Sequence, residues 1–461
     1  MLHYLQIMEG TANSVEDRLI DGLSFKHKAG ASYVTERKSV TYHPQGSNIY
    51  MPNGGTKLIK LLLTGDQWLD PSTLRIMFDL KNNESSSTGG GYMLLRPLGG
   101  PHTFFKRMRI LAAGQVLEDI SDYNRVHEMF KTLQANDTNI NDKAEGFGQT
   151  YDHNTELNKL TLRGIPPGES QTVLFKPCSG IFNQEKMLPI RYMPLTIELE
   201  LVNDSNEPIV SDSTTDTNVS TGFDITTGVT GNTSTSWQIQ NVQVKCDVVT
   251  LDNQLDNSYA EHLLSGKALP INYQTYVSQK QSTLSGTNGQ QKVRLNVTRA
   301  LSRLKNVFIT LDKPTTDVGI KEWNSFYSPM EPLQATNNYV ESGEIADFQI
   351  QVGSKQFPEY PIRSHAEAYY QLRKTLGKHN QHNSFDIAQE EYRSRKFILG
   401  IDMERVLEAG FTGINTRAGD LMAIRFDHKS TNATHWSQSM HIVLTADCIL
   451  EVRDSGVQVF D

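Results

Sequence analysis

The sequence predicts an all-β protein composed of two consecutive β-sandwiches. Apolar and polar residues alternate through most of the patterned segments, helical patterns are few and short, and segments of the first half recur in order in the second half. The chain has 461 residues, of which 37% are hydrophobic, so it is long enough for two or three domains with substantial cores.

Strand patterns dominate the chain. Apolar or small residues occupy every second position in 74–80, 197–201 and 440–452, and most positions between them are polar or charged in the first two. A period of two predicts antiparallel sheets with one buried face. Between Trp237 and Val248 the alternation changes phase, which predicts a β-bulge.

Three short segments have a helical pattern instead. Apolar residues recur at helical spacing in 123–134 and 365–376. Ser364 and Glu367 form a capping-box pattern at the start of the second of these segments. A third helical piece is predicted over 403–409.

Long polar loops separate the strands. Residues 82–91 are rich in Asn, Ser and Gly, residues 134–159 in Asn and Asp, and residues 203–236 in Ser, Thr, Asn and Gly. Loops of this length in a compact domain are usually functional or mobile. We therefore predict that they project from one end of the sandwich.

The two halves contain matching segments. Gly114 precedes Glu128 by the same interval as Gly353 precedes Glu367, and each interval predicts a strand, a tight turn at the glycine and a helix. Further matches in the same order join residues 72–80 with 302–311, 194–201 with 419–426, and the strand through Cys246 with the strand through Cys448. The sequence therefore predicts two copies of one sandwich, divided near residues 252–270.

Composition and charge argue against several classes of protein. The formal net charge of -8 disfavours tight coating of nucleic acid, which needs a basic field. No stretch reaches the ~18 apolar residues of a transmembrane helix, and residues 1–10 lack the features of a secretory signal. Cys178, Cys246 and Cys448 are odd in number and far apart, which predicts buried, reduced thiols in a protein that matures inside a cell.

The sequence predicts no catalytic, cofactor-binding or metal-binding residues. His379 and His382 could supply two metal ligands, but zinc needs more, and a solvated loop is favoured. Packing or capping is the favoured role for His102, His127 and His365. The three cysteines lack a nearby histidine and are predicted to be buried thiols, not nucleophiles.

Other charged and aromatic residues have a similar explanation. Glu198 and Glu200 alternate with leucine, so a solvated sheet face explains them better than glycoside hydrolysis does. Tyr369 and Tyr370 are predicted to pack in the core or against another subunit. The basic run at 393–396 is either a solvated edge or a contact between subunits.

Each half of the chain has the same order of elements: strands, a helix-bearing insert, further strands, a long loop and a closing strand. This doubled order resembles the double jelly-roll major capsid proteins. These include the capsid proteins of polinton-like viruses, virophages and nucleocytoplasmic large DNA viruses, and more distantly the adenovirus hexon. The resemblance covers about residues 45–461, and its most specific parts are 114–133, 353–372, 174–182 and 395–402.

The resemblance implies two consecutive eight-stranded antiparallel jelly-roll β-sandwiches with short helices in the loops. We expect an N-terminal arm over 1–45, a first jelly roll over 46–262 and a second over 263–461. The arm is locally basic, which fits a segment that faces the inside of a shell.

The resemblance also implies a structural protein that is not an enzyme and needs no cofactor. Three copies would form a pseudo-hexameric capsomer, and capsomers would assemble the icosahedral shell of a double-stranded DNA virus. Expected partners are neighbouring capsomers, a penton protein and minor capsid proteins, without sequence-specific nucleic-acid binding. The protein would be made in the infected host cell and end in the virion capsid.

Two other classes remain open at this point. A β-sandwich carbohydrate-binding or receptor-binding viral surface protein is supported by the Asp/Asn-rich residues 134–159. An enzyme on a jelly-roll scaffold, such as a cupin dioxygenase or a glycosidase, would need clustered histidine and carboxylate residues, whereas the histidines here are scattered. A glycan array and a metal assay would separate these classes from a capsid protein.

Overall fold

The computed structural model describes most of the chain from residue 34 onward. The described ranges are 34–85, 93–147, 164–209, 234–282, 290–312, 326–330, 345–377, 387–394, 396–404, 412–417, 421–429 and 439–461. Several residues considered in the sequence analysis lie outside these ranges. They are residues 1–33, His379, His382 and Arg395, together with most of the loop at 203–236 and most of the predicted helix at 403–409.

Ten strands form the first sandwich. They are β1 (Val34–Tyr42), β2 (Ile49–Tyr50), β3 (Leu58–Leu63), β4 (Trp68–Asn82), β5 (Phe105–Ala112), β6 (Gln115–Ser121), β7 (Ser170–Phe175), β8 (Leu188–Pro189), β9 (Leu195–Leu201) and β10 (Trp237–Leu251). One sheet has the order β1-β10-β4-β7, with β2 beside β10 and β8 beside β4. The other sheet has the order β3-β9-β5-β6.

Nine strands form the second sandwich. They are β11 (Leu269–Ser282), β12 (Gln290–Val297), β13 (Leu304–Leu311), β14 (Ile345–Val352), β15 (Lys355–Ile362), β16 (Leu399–Asp402), β17 (Met422–Lys429), β18 (Ser439–Arg453) and β19 (Gly456–Phe460). One sheet has the order β11-β18-β13-β16, with β19 beside β18, and the other has the order β12-β17-β14-β15.

The two sandwiches share one topology. We match β1 and β2 together to β11, leave aside the short β8 and β19, and match the other strands in chain order. Each sheet of the first sandwich then has a counterpart with the same strand order in the second sandwich. The strand pairs within these sheets are antiparallel. Two four-stranded sheets connected in this order form a jelly roll, so the all-β double-sandwich prediction is confirmed.

The internal matches in the sequence fall on equivalent strands. Residues 72–80 lie in β4 and residues 302–311 largely in β13, whereas 194–201 and 419–426 lie largely in β9 and β17. Cys246 is in β10 and Cys448 is in β18, the closing strand pair. The two matched glycines, Gly114 and Gly353, form the β5–β6 and β14–β15 turns with φ of 87° and 59°, a left-handed conformation that favours glycine.

The phase change in the closing strand of the first sandwich is a β-bulge, as predicted. The register between β10 and β4 shifts between Gln240 and Gln243. Asn241 adopts a φ of 53° at this point. Because one residue is inserted, Ile239 and Val242 are both buried although they are three positions apart.

Five α-helices occur among the described residues. They are α1 (Tyr123–Thr132), α2 (Asn136–Glu145), α3 (Asn253–Leu264), α4 (His365–Thr375) and α5 (Gln389–Ser394), and a 3-10 helix covers Pro101–Phe104. Both predicted helices are present as α1 and α4, each between equivalent strands. The predicted capping box is present too: the hydroxyl of Ser364 accepts from the Glu367 amide, and the Glu367 carboxylate accepts from the Arg363 amide.

The structure corrects the sequence analysis at three places. Residues 136–145 were expected in a loop but form α2, and residues 253–264, expected in the dividing segment, form α3. Both helices were missed because they bury almost nothing: α2 has no buried residue and α3 buries only Leu263. Residues 34–42, expected in an arm, form β1, which pairs along β10. Its exposed, mostly polar side chains gave no alternating pattern.

Aromatic side chains fill the space between the two sheets of each sandwich. In the first, Phe78 contacts Phe105 edge-to-face with centroids 5.6 Å apart. In the second, Phe348 stacks at 4.7 Å on Phe426, its cross-strand neighbour in the same sheet, and both rings are buried. All four rings are buried, and such rings dominate the energetics of a core. The buried apolar side chains of both sandwiches belong to one continuous hydrophobic cluster.

Candidate functional site

The two sandwiches meet along a joint formed by β6 and α1 of the first and by β11 of the second. The hydroxyl of Tyr273 donates to the carbonyl of Leu117 at 3.0 Å, and the hydroxyl of Ser278 donates to the carbonyl of Ser121. On α1, Phe130 packs against Tyr276, with ring centroids 4.8 Å apart. The joint thus combines aromatic packing with hydrogen bonds to backbone carbonyls.

Asp312, directly after β13, connects the two sandwiches by charge. Its carboxylate lies 2.7 Å from the guanidinium of Arg125 on α1. From the second sandwich itself, Lys280 lies at 3.4 Å and His441 at 3.1 Å, and the hydroxyl of Ser439 also donates to Asp312. Burial alone would raise the pKa of Asp312, but Arg125, His441 and Ser439 hold it well below its usual range.

Arg125 is buried at this joint. Its side chain is 6% exposed, and its guanidinium lies 4.9 Å from the ring centroid of Phe326 in the second sandwich. A planar guanidinium can bind a carboxylate and stack on an aromatic ring at once. Arg125 therefore links α1 to two separate segments of the second sandwich.

Glu118 on β6 is a buried carboxyl at the centre of the joint. One oxygen accepts from the Gly180 amide at 2.9 Å and the other accepts from the Ser179 hydroxyl. Burial raises the pKa of Glu118 to about 7, although these hydrogen bonds act in the opposite direction. The backbone at Gly180 packs directly against β11. A Cβ at this position would lie 1.5 Å from the carbonyl oxygen of Gln274, so a side chain does not fit there.

The protonation of Glu118 predicts a pH dependence of stability. A carboxyl whose pKa is higher in the folded chain binds more protons when folded, so the free energy of unfolding should fall as pH rises from about 4.5 to about 7. The full contribution is about 3 kcal/mol. Glu118→Gln should remove this slope, as measured by urea unfolding at a series of pH values.

The matched control for this prediction is Glu261→Gln, an exposed glutamate on α3. It should keep the pH slope of the unsubstituted chain. An unchanged slope in Glu118→Gln would show that the joint does not hold a protonated carboxyl near neutral pH.

A second buried polar group ties α1 to the 3-10 helix. Nε2 of His102 lies 2.7 Å from the Glu128 carboxylate, and the His102 ring stacks on His127 with centroids 4.0 Å apart. Burial lowers the pKa of both histidines. Burial alone would raise the pKa of Glu128, but Lys131 and His102 lower it to about 2. These neutral rings pack and position α1, the role favoured from the sequence.

His365 is buried, and the three cysteines are buried or partly buried. His365 lies 2.9 Å from the hydroxyl of Ser328. Burial raises the pKa of Cys178, Cys246 and Cys448 to about 12, so their thiols are protonated. All three are free cysteines.

Glu198 lies on the outward face of β9, as the alternation predicted, but charged neighbours cover most of its side chain. Its carboxylate lies 3.3 Å from Arg109 and 3.5 Å from Lys60, on the two neighbouring strands. These ion pairs partly bury it, with 13% of the side chain exposed. Sequence alternation identifies the outward face of a strand but not the charges on the adjacent strands.

The tyrosines on α4 have different environments. Tyr369 packs edge-to-face on Tyr392 with centroids 5.0 Å apart, whereas Tyr370 is 61% exposed. From the basic run, Lys396 forms an ion pair with Glu391 at 3.0 Å. Tyr369 therefore has the predicted packing role, and Tyr370 is available at the surface.

A cavity of about 270 Å³ lies beside the joint. Phe130, Tyr276 and Phe308 form its apolar side, and Lys305, Lys374, Asp402 and Glu404 contribute charged groups. Lys305 and Glu404 are paired at 2.8 Å.

Across the described ranges, no group of three or more His, Cys, Asp or Glu residues could hold a metal ion. The same part of the chain contains no helix long and apolar enough to cross a bilayer.

The arrangement of strands defines a double jelly roll, and solved structures of several viral capsid proteins share it. VP54 of PBCV-1, fitted into a reconstruction of the virophage Sputnik, superposes with a TM-score of 0.61 at 10% identity, covering 95% of this chain and 99% of that one. The Sputnik virophage structure gives 0.58 at 10% identity, covering 95% and 90%. The Faustovirus major capsid protein gives 0.50 at 10% identity, covering 93% and 92%.

These likenesses show that the chain has the double jelly-roll fold of those capsid proteins over nearly its whole length. No family model matches the sequence, and no curated protein matches it either. At 10% identity these structures share the fold with this chain, and the likeness says nothing about individual side chains.

Proposed function

We propose that the chain is a major capsid protein, the structural subunit of the icosahedral shell of a double-stranded DNA virus. The observation that carries the proposal is the pair of jelly rolls joined through a buried interface, matched over at least 90% of both chains by capsid proteins of PBCV-1, Sputnik and Faustovirus. Fold by itself does not establish function, so the proposal depends on assembly and must be tested there.

In this proposal the chain acts by packing and not by chemistry. Three copies form a pseudo-hexameric capsomer, because each chain supplies two sandwiches of the same topology. The sandwich units are residues 46–262 and 263–461, with β1 added to the first. Neighbouring capsomers, a penton protein and minor capsid proteins are the proposed partners, and the virion capsid is the proposed location.

The absence of enzymatic activity is also part of the proposal. The buried carboxylates described above all have partners within the chain. Glu118 accepts from the Ser179 hydroxyl and the Gly180 amide, Glu128 pairs with His102, and Asp312 pairs with Arg125. Within the Asp/Asn-rich stretch 134–159 that favoured a sugar-binding protein, residues 136–145 form the helix α2, and residues 148–159 lie outside the described ranges. No specific feature of the described residues therefore favours a second function.

The mass of the purified chain in solution tests the proposal. Light scattering should give three times the 51.8 kDa of one chain, and negative-stain images of the same peak should have hexagonal outlines. A protein that stays monomeric at micromolar concentration would contradict the proposal, because a capsomer subunit must associate. A monomer that binds glycans on an array would instead indicate a surface recognition protein.

A further inference from the structure

The cavity beside the joint is bounded by both sandwiches. Its floor is the outer face of the sheet β11-β18-β13-β16, where four residues paired across the strands form a row: Tyr276, Thr445, Asn306 and Asp402. Phe130 of α1 and residues 374–377 at the C-terminal end of α4 also line the cavity. A molecule bound there would therefore contact both sandwiches.

Strand geometry directs the side chains of Asn306 and Asp402 toward the cavity. The ring of Phe308 contacts Phe130, with centroids 5.6 Å apart. Side chains alternate between the two faces of a strand, so Asn306, two positions before Phe308, lies on the same face. Asp402 is paired with Asn306 across the strands, and directly paired residues share a face. The polar groups of the floor therefore lie beside aromatic rings.

Two opposite charges line the cavity without direct contact. Lys305 is paired with Glu404 at 2.8 Å, whereas Lys374 and Asp402 form no ion pair within the described ranges. Burial raises the pKa of Asp402, and Lys374 acts in the opposite direction, so the two charges lie close enough to interact. A ligand that carries a positive group for Asp402 and a negative group for Lys374 fits between them.

Asn306 adds a hydrogen-bond acceptor that the described residues leave without a partner. The residue is 8% exposed, and its Oδ1 is buried without a hydrogen bond. Its backbone N–H is engaged, because it donates to the Thr445 hydroxyl at 3.1 Å. The terminal torsion of asparagine is soft, so the side-chain oxygen can turn toward a donor in the cavity. A buried acceptor without a donor costs free energy, which favours a ligand with an N–H group beside Asp402.

We propose that this cavity binds a small zwitterion with an apolar side chain, which is the chemistry of a free apolar amino acid. The ammonium group donates to Asp402 and Asn306, and the carboxylate accepts from Lys374. The apolar side chain packs on Phe130 and Phe308. A few polar groups placed around an apolar surface are typical of small-molecule sites. This inference goes beyond the proposed function and does not depend on the assembly of the chain.

The size and the opening of the cavity fit such a ligand. Its volume of about 270 Å³ is close to the lower end of ligand pockets, about 300 Å³, so the occupant is about as large as leucine. Lys374, Leu376 and Gly377 are partly exposed. A small molecule therefore has an entry past the end of α4.

Isothermal titration calorimetry with L-leucine tests the inference on the full chain. L-leucine should bind with a dissociation constant of about 1 mM or lower. Isoamylamine lacks the carboxylate, isocaproate lacks the ammonium group, and L-asparagine has a polar side chain of the same shape. Each of these probes should bind about tenfold more weakly or worse, because each loses one of the three contacts.

Two substitutions assign the charges. Lys374→Gln should weaken the binding of L-leucine about tenfold but leave that of isoamylamine unchanged, because isoamylamine has no carboxylate. Asp402→Asn should weaken L-leucine by about the same factor but leave isocaproate unchanged. The matched controls Lys355→Gln and Asp454→Asn replace exposed residues outside the cavity and should bind L-leucine as the unsubstituted chain does.

The inference is overturned if L-leucine does not bind in the millimolar range. Equal affinities for L-leucine and L-asparagine would show that the side chain does not reach the aromatic rings. Equal affinities for L-leucine and isoamylamine would show that Lys374 takes no part, and either result overturns the zwitterion. All of these outcomes are independent of the solution mass that tests the proposed function.

Discussion

Asp312→Asn is expected to lower the free energy of unfolding by about 3 kcal/mol, because the buried guanidinium of Arg125 loses the charge of its carboxylate partner. Asparagine keeps the size of the side chain and can still accept a hydrogen bond, so the loss reports the charge. The value is at the lower end for buried pairs because the Asp312 side chain remains 23% exposed. Urea unfolding of the two proteins measures the difference.

The control for Asp312 is a pair at the surface. Asp256→Asn removes a carboxylate 2.9 Å from Arg191, whose side chain is 48% exposed, compared with 6% for Arg125. Exposed pairs contribute roughly 0–1 kcal/mol, so this variant should remain close to the unsubstituted chain. Equal effects of the two substitutions would mean that the joint does not depend on the Arg125–Asp312 contact.

Gly180→Ala is expected to open the joint. The added Cβ would lie 1.5 Å from the Gln274 carbonyl oxygen and 2.6 Å from its carbon, and both are backbone atoms that cannot rotate away. Overpacking of a rigid contact costs typically 1–3 kcal/mol and sometimes more, and we expect the upper end of this range. Differential scanning calorimetry should show a lower thermal midpoint, and the hydrogen bonds of Glu118 should be weakened.

Gly65→Ala is the matched control for Gly180→Ala. The atoms nearest to its added Cβ are the ends of the Gln67 and Ile190 side chains, at 3.0 Å and 3.3 Å. Flexible side chains can move by this amount, so the thermal midpoint should change little. If both alanine variants melt with the unsubstituted chain, β11 is not packed directly on residue 180.

The two predictions concern the same physical question, namely how two sandwiches of one topology are held in a fixed relation. Asp312 acts through charge across the joint, and Gly180 acts through the absence of a side chain.

The sequence by itself determined the fold class, the duplication and the principal strands. Alternation over 74–80, 197–201 and 440–452 was sufficient for this, because a strand with one buried face must place an apolar side chain at every second position. The bulge at Asn241 was also readable, since an inserted residue changes the phase of the pattern. The helices α1 and α4 were predicted because each buries one side against its sandwich.

Only the tertiary structure decided the elements that bury little and the contacts that cross the joint. The strand β1 and the helices α2 and α3 have mostly exposed side chains, so hydrophobic periodicity does not reveal them. Glu118 is followed by Asp119 and reads as an ordinary strand glutamate in the sequence. Its burial, and that of Arg125 beside Asp312, arises because residues more than 150 positions apart in the chain meet there, and such meetings leave no local pattern in the sequence.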